Sequence, residues 1–145
     1  MSPFTFRLDP VLRVRVSQRD ERQRELADAL TRLREVEQAI ATINAELART
    51  RNERASDRNK LRVERLLAMD AYEAQLREQQ ELQQTLRDQA AALMAERREA
   101  LLAADRAVRS LEMLRETELE RHLAELRRRE TRDLDELAGR PFSAS

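Results

Sequence analysis

His122 is the only histidine of the chain, and with Glu118 and Glu125 it makes a carboxylate–imidazole arrangement at helical spacing that superficially resembles part of a metal site. A structural or catalytic metal needs three or four converging ligands. With Arg121 alongside and no cysteine anywhere, His122 reads as a solvated surface side chain. Glu116, Glu118 and Glu120 alternate around a helix instead of converging, and nothing supplies the dry pocket that shifts a carboxylate for acid–base work. The single glycine, Gly139, rules out a glycine-rich phosphate loop, and no serine stands in a nucleophile-elbow context. No catalytic residue, no metal ligand and no cofactor is expected. Arg127, Arg128 and Arg129, with Arg132, form the strongest basic cluster, but Glu125, Glu130, Asp133 and Asp135 surround it. It reads first as a solvated face and second as a contact for an acidic protein surface. With 28 basic against 28 acidic residues there is no net field to recruit nucleic acid or an anionic membrane.

The elements that carry these residues are helices. One Gly, three Pro and 39% charged residues in 145, with three Phe, one Tyr and no Trp, describe long helices or coiled coils and leave little to fill a thick globular core. Asp9-Pro10 reads as a helix start, Asp accepting orphan N–H groups and Pro taking the first helical position. Gly139 and Pro141 form the stop, Gly suited to the left-handed position after a helix. Neither residue type occurs between Val11 and Ala138.

Leu26, Leu30, Leu33, Val36, Ile40, Ile43 and Leu47 step by three and four residues, the mean spacing of a left-handed coiled-coil seam. Extended backwards, the register runs through Gln23, Arg19, Val16 and Leu12. A second stripe passes through Met69, Tyr72, Leu76, Leu82, Leu86, Ala90, Leu93, Leu101, Ala104, Val108, Leu111 and Leu114, and continues less regularly to Leu119, Leu123, Leu126, Leu134 and Leu137. The seam lapses between Leu47 and Leu61, where Ser56, Asp57 and Asn59 are weak helix formers. Acidic residues precede Arg by four positions at Asp20, Asp28, Glu73, Asp105 and Glu125, the favoured order for surface pairs.

Two architectures fit: one uninterrupted helix reaching about 195 Å, or the favoured all-α fold, two long helices forming an antiparallel coiled-coil hairpin. In the latter, residues 1–145 make a single coiled-coil domain, with helix 1 over about 10–55, a turn region over about 56–65 and helix 2 over about 66–138. Reversal near residue 61 places residues whose numbers total about 122 opposite one another, so that everything beyond about residue 113 overhangs. An overhang carrying an apolar stripe marks a protein-binding or self-association surface. Met1 to Asp9 holds no apolar stretch long enough for a signal peptide, and the longest apolar run, Ala90 to Ala95, is too short to span a bilayer. The expected location is cytoplasmic.

The opening Phe4-Thr-Phe6-Arg7-Leu8-Asp9-Pro10-Val11-Leu12-Arg13-Val14-Arg15, followed by Gln23-Arg24-Glu25-Leu26-Ala27 and closed by Leu134-Asp135-Glu136-Leu137-Ala138, resembles the flagellar FliJ family of type III export proteins over the whole chain. The Phe-x-Phe-x-Leu opening is not demanded by any heptad. The resemblance implies a stalk-like antiparallel coiled coil whose termini insert into the hexameric flagellar export ATPase and promote its assembly and activity. It implies contact with the cytoplasmic region of the export-gate membrane protein, and escort of export chaperones at the inner-membrane flagellar base without insertion into the membrane. Read onto these residues, ring docking falls to Leu12, Leu114, Leu119, Leu123, Leu126, Arg127 and Arg128. Gate contact falls to Tyr72 and Leu76, an aromatic and a Leu four residues later, and to Gln38 on the first helix. Tyr72 and Leu76 are also seam candidates. The reading from a different class is a homodimeric coiled-coil scaffold whose overhang pairs with itself.

Overall fold

A computed structural model describes residues 3–56 and 62–139. It contains two helices, α1 (Asp9–Ser56, 48 residues) and α2 (Val63–Gly139, 77 residues), packed against each other. The uninterrupted single helix is thereby set aside in favour of the helical hairpin. Residues 57–61, at the centre of the expected turn region, lie outside the described residues, as does Pro141.

The helix start differs by one residue from the expected cap. The Leu8 carbonyl accepts the N–H of Leu12 at 2.9 Å, so Leu8 stands at the cap and Asp9 is already helical. The Asp9 carboxylate turns to the Arg13 guanidinium, 3.0 Å away, and its charge still suits the first turn. At the other end Gly139 is the last residue of α2 and has no positive φ. The expected left-handed exit is absent at that residue.

The chain divides into two compact units, Glu21–Leu101 and Met1–Asp20 with Leu102–Ser145. Within Glu21–Leu101, the expected α1 seam is inward-facing from Leu26 to Leu47, with Val36 and Leu47 buried; Ala29 and Thr50 are buried beside it, while Gln23 is exposed. The α2 side departs further from expectation. Met69, Leu76, Leu86 and Ala90 face inward, but Tyr72, Leu82 and Leu93 are exposed at 39%, 59% and 40%. Glu73, Gln80, Gln83, Met94 and Arg97 take the inward positions instead, continuing the three-and-four spacing that Leu82 and Leu93 leave.

Polar side chains hold these places because α1 supplies partners. Glu73 meets Arg54 at 3.4 Å and Arg51 at 3.8 Å. The Gln80 amide donates to the Asn44 carbonyl oxygen at 2.6 Å, and the Arg97 guanidinium donates to Glu25 at 3.3 Å. Arg54 also pairs with Asp70. Pairing 54 with 70, 51 with 73, 44 with 80 and 25 with 97 gives totals of 122 to 124, the antiparallel register read from the sequence.

In the unit of Met1–Asp20 with Leu102–Ser145, Leu12, Val16 and Arg19 of α1 are half-buried, as are Ala104 and Leu111 of α2, and Val108 is fully enclosed. Ahead of α1 lies a short non-helical strap, Pro3–Leu8, whose exposure alternates: Phe4 and Leu8 are half-buried and Phe6 is buried, whereas Pro3, Thr5 and Arg7 are exposed. That period of two is what a non-helical segment lying along an apolar surface requires. Of the expected surface pairs, Glu73–Arg77, Asp105–Arg109 and Glu125–Arg129 form at 3.0, 3.0 and 3.2 Å. Asp20 lies nearest Arg19, and Arg32 nearest Glu35.

Substituting the enclosed Val108 by Ala removes two methyl groups from the seam and is expected to lower unfolding stability by about 2 kcal/mol, read by urea titration of the helical circular dichroism signal. Leu82→Ala, off the seam, is expected to change it by less than about 0.5 kcal/mol. Equal losses would contradict the seam described above.

Candidate protein-docking surfaces

In the unit of Met1–Asp20 with Leu102–Ser145, the strap is fastened by two aromatic side chains. Phe6 is 5% exposed, a burial worth about 2–3 kcal/mol for a side chain of this size. The Phe4 ring lies 5.6 Å from the His122 ring at a tilt of 48°, and the Arg115 guanidinium stands 5.8 Å from its centroid, a cation–π contact of about 0.5–1 kcal/mol. His122, expected as a solvated side chain, is half-buried here. An open cavity of about 420 Å³ lies beside it, walled by Pro3, Phe4 and Thr5 on one side and Glu118, Arg121 and Glu125 on the other.

The strap shortens the expected overhang. Residues of α2 between Arg115 and Glu125 lie along Phe4 and its neighbours, so the uncovered end begins at about Leu126. There Leu134 and Leu137 are 66% and 64% exposed. Of the residues assigned to ring docking, Leu12, Leu119 and Leu126 are half-buried, and Leu114 and Leu123 are exposed at 39% and 46%. Arg127 and Arg128 are exposed, and the Arg127 Nε–H donates to the Leu123 carbonyl at 3.4 Å. All seven belong to this one unit. The residues that sequence reasoning missed here are Phe4, Phe6 and Arg115; the alternation of Phe4, Phe6 and Leu8 was the available signal.

Gln38, Tyr72 and Leu76 belong to the unit Glu21–Leu101. Gln38 is exposed, Tyr72 is partly exposed and Leu76 is buried, so two of them present atoms outward and the third packs in the seam. The Tyr72 hydroxyl donates to Glu46 Oε1 at 2.9 Å. Arg49 pairs with the same carboxylate and reaches Glu53 at 3.2 Å. This cluster walls an open cavity of about 230 Å³ floored by Met69 and Ala68. Nearby on α2, Val63 and Leu67 are exposed at 72% and 63%.

The electrostatics follow the contacts. Hydrogen bonding to Arg49, then to Tyr72, holds the Glu46 carboxyl below its ordinary value. The same Glu46 raises the Tyr72 phenol, first by accepting its hydrogen bond and then, after the effect of burial, by its charge. Glu73 is lowered, chiefly by hydrogen bonding to Arg77, with Arg54 and Arg51 adding charge. These carboxylates are therefore held ionised, and the arrangement presents fixed charges beside apolar side chains.

A family model described as Flagellar FliJ protein matches residues 4–145. No curated protein and no solved structure matches the chain.

Tyr72 is the only tyrosine and there is no tryptophan, so phenolate absorbance reports it alone. Its titration midpoint is expected above that of free tyrosine, and Glu46→Gln is expected to bring it back down. The sign for stability follows: a phenol raised on folding stabilises below its unfolded pKa and loses that contribution as pH rises through the folded value. Glu46, lowered on folding, contributes above its unfolded pKa and loses it as pH falls through the folded one. A midpoint unmoved by Glu46→Gln would mean that the bond is not formed in solution.

Proposed function

The chain belongs to the FliJ family of flagellar proteins, components of the flagellar export apparatus, and we propose that within it the chain is a non-enzymatic stalk that docks into the hexameric export ATPase. In this reading it promotes assembly and activity of the ring and links the ring to the cytoplasmic region of the export-gate membrane protein and to export chaperones. The observation that carries the reading is the end of α2. Leu134 and Leu137 stand exposed there with Arg127 and Arg128, past the strap's reach at about Glu125, and Leu123 is exposed one turn before Arg127. An apolar stripe rimmed by charges is the anatomy of a protein interface.

Gate contact draws support from the exposed Gln38 and the partly exposed Tyr72 at its cavity, with Leu76 holding the α2 backbone from within the seam. Escort of chaperones rests on family membership alone. Among the described residues no helix is long and apolar enough to cross a membrane, and the proposed place is the cytoplasmic side of the inner-membrane flagellar base, held there by partners. A homodimeric scaffold would use the same Leu stripe on a second copy.

Replacing Leu119, Leu123 and Leu126 by Asp is expected to abolish association with the export ATPase ring and its stimulation, measured by complex mass and ATP hydrolysis, with helicity unchanged. Unchanged affinity would refute the assignment. A stable homodimer that never joins the ring would support the scaffold instead.

A further inference from the structure

Three features of the unit of Met1–Asp20 with Leu102–Ser145 bear on how the docking face becomes available. First, the strap lies against α2 over Arg115 to Glu125, along the same turns of helix that carry the half-buried Leu119 and the exposed Leu123. Second, among the described residues its backbone bonds only to its own neighbours: the Phe6 carbonyl accepts from the Asp9 N–H and the Leu8 carbonyl from the Leu12 N–H. What holds it to α2 is therefore side-chain contact, the Phe4 ring on His122 and Arg115 with Phe6 buried two residues on, not a hydrogen-bond ladder. Third, the fit is incomplete, since Phe4 is only half-buried and borders the open 420 Å³ cavity. A segment held by two rings and local bonds opens at small cost, the behaviour of low-stability chain ends.

We propose that Pro3–Leu8 is a displaceable clasp that covers the groove of α2 from Arg115 to Glu125 in the free chain and leaves it when the ATPase ring docks. The inference rests on the docking reading above and adds a competition to it. The ring supplies apolar side chains in place of Phe4 and Phe6, and release of the strap exposes the half-buried His122 to the incoming surface. Because binding requires the open form, the apparent dissociation constant is raised by the reciprocal of the open fraction. A clasp shut nine-tenths of the time weakens docking about tenfold.

The absence of cysteine permits a direct test on the full chain. Thr5 and Arg121 are exposed on opposite walls of the cavity, so Thr5→Cys with Arg121→Cys can be bridged by a short bis-methanethiosulfonate cross-linker, which forms a reducible disulfide with each thiol and releases sulfinate. The other variant, Phe4→Ala with Phe6→Ala, loosens the clasp, with helicity checked by circular dichroism. The clasp predicts that the bridged chain fails to bind the export ATPase hexamer, that reduction restores binding, and that the loosened variant binds about tenfold more tightly. Equal binding by bridged, reduced and loosened chains overturns the clasp and leaves the docking reading intact. Weaker binding by a fully helical loosened variant overturns it as well, because the strap is then part of the docking surface. No binding by any of them overturns both.

Discussion

The structure depends on a seam one or two side chains wide. With 39% charged residues and only four aromatic ones, three Phe and one Tyr, α1 and α2 have no thick core to share, and each is held in place by the line of inward positions spaced three and four residues apart. Val36, Leu47, Leu76, Ala90 and Val108 are its best-buried members. They are spaced along their helices, which gives no preference among registers that slide one helix past the other by whole heptads. The polar members do. Glu73 between Arg51 and Arg54, Gln80 against Asn44 and Arg97 against Glu25 are each satisfied in one alignment, and any slip leaves part-buried charges or amides without partners. Such contacts stabilise modestly where they are exposed to water, and their larger effect is to make the wrong alignments costly.

That division of labour also explains what could be read in the sequence. The α1 seam from Leu26 to Leu47 was legible because every member is Leu, Val or Ile, and the antiparallel register followed from the lapse after Leu47. The α2 seam was legible only in part. A search for apolar residues follows Leu82 and Leu93, which point outward, and passes over Glu73, Gln80 and Arg97, which point inward because α1 carries the complementary groups. No pattern on one helix contains that information. The strap was missed for a different reason: Phe4, Phe6 and Leu8 repeat every two residues, whereas attention to heptads selects repeats of three and four. Residues 57–61, where the reversal was expected, lie outside the described residues.

The candidate surfaces were legible to a similar degree. Leu123, Arg127 and Arg128 are exposed, while Leu12, Leu119 and Leu126 are half-buried and offer only part of their side chains. Leu76 is the reverse of a surface contact: it packs within the seam, and Tyr72 four residues earlier stands at the edge because the seam position passes to Glu73. One turn of α2 thus divides its roles, Leu76 fixing the helix and Tyr72 facing outward with its hydroxyl engaged by Glu46.

The charges at that edge explain why the surface suits docking better than chemistry. A catalytic carboxylate has to change protonation state near the working pH, which needs desolvation or a neighbouring negative charge. Glu46 and Glu73 have the opposite surroundings, with Arg49, Arg77, Arg54 and Arg51 pulling them down and water close by. Tyr72 is pushed the other way and keeps its proton as a donor to Glu46. Carboxylates held ionised and a phenol held neutral present the same pattern of donors and acceptors across the neutral range. A partner that recognises this edge therefore meets an unchanging surface, and any regulation of its docking has to come from moving parts of the chain instead of from titration at this site.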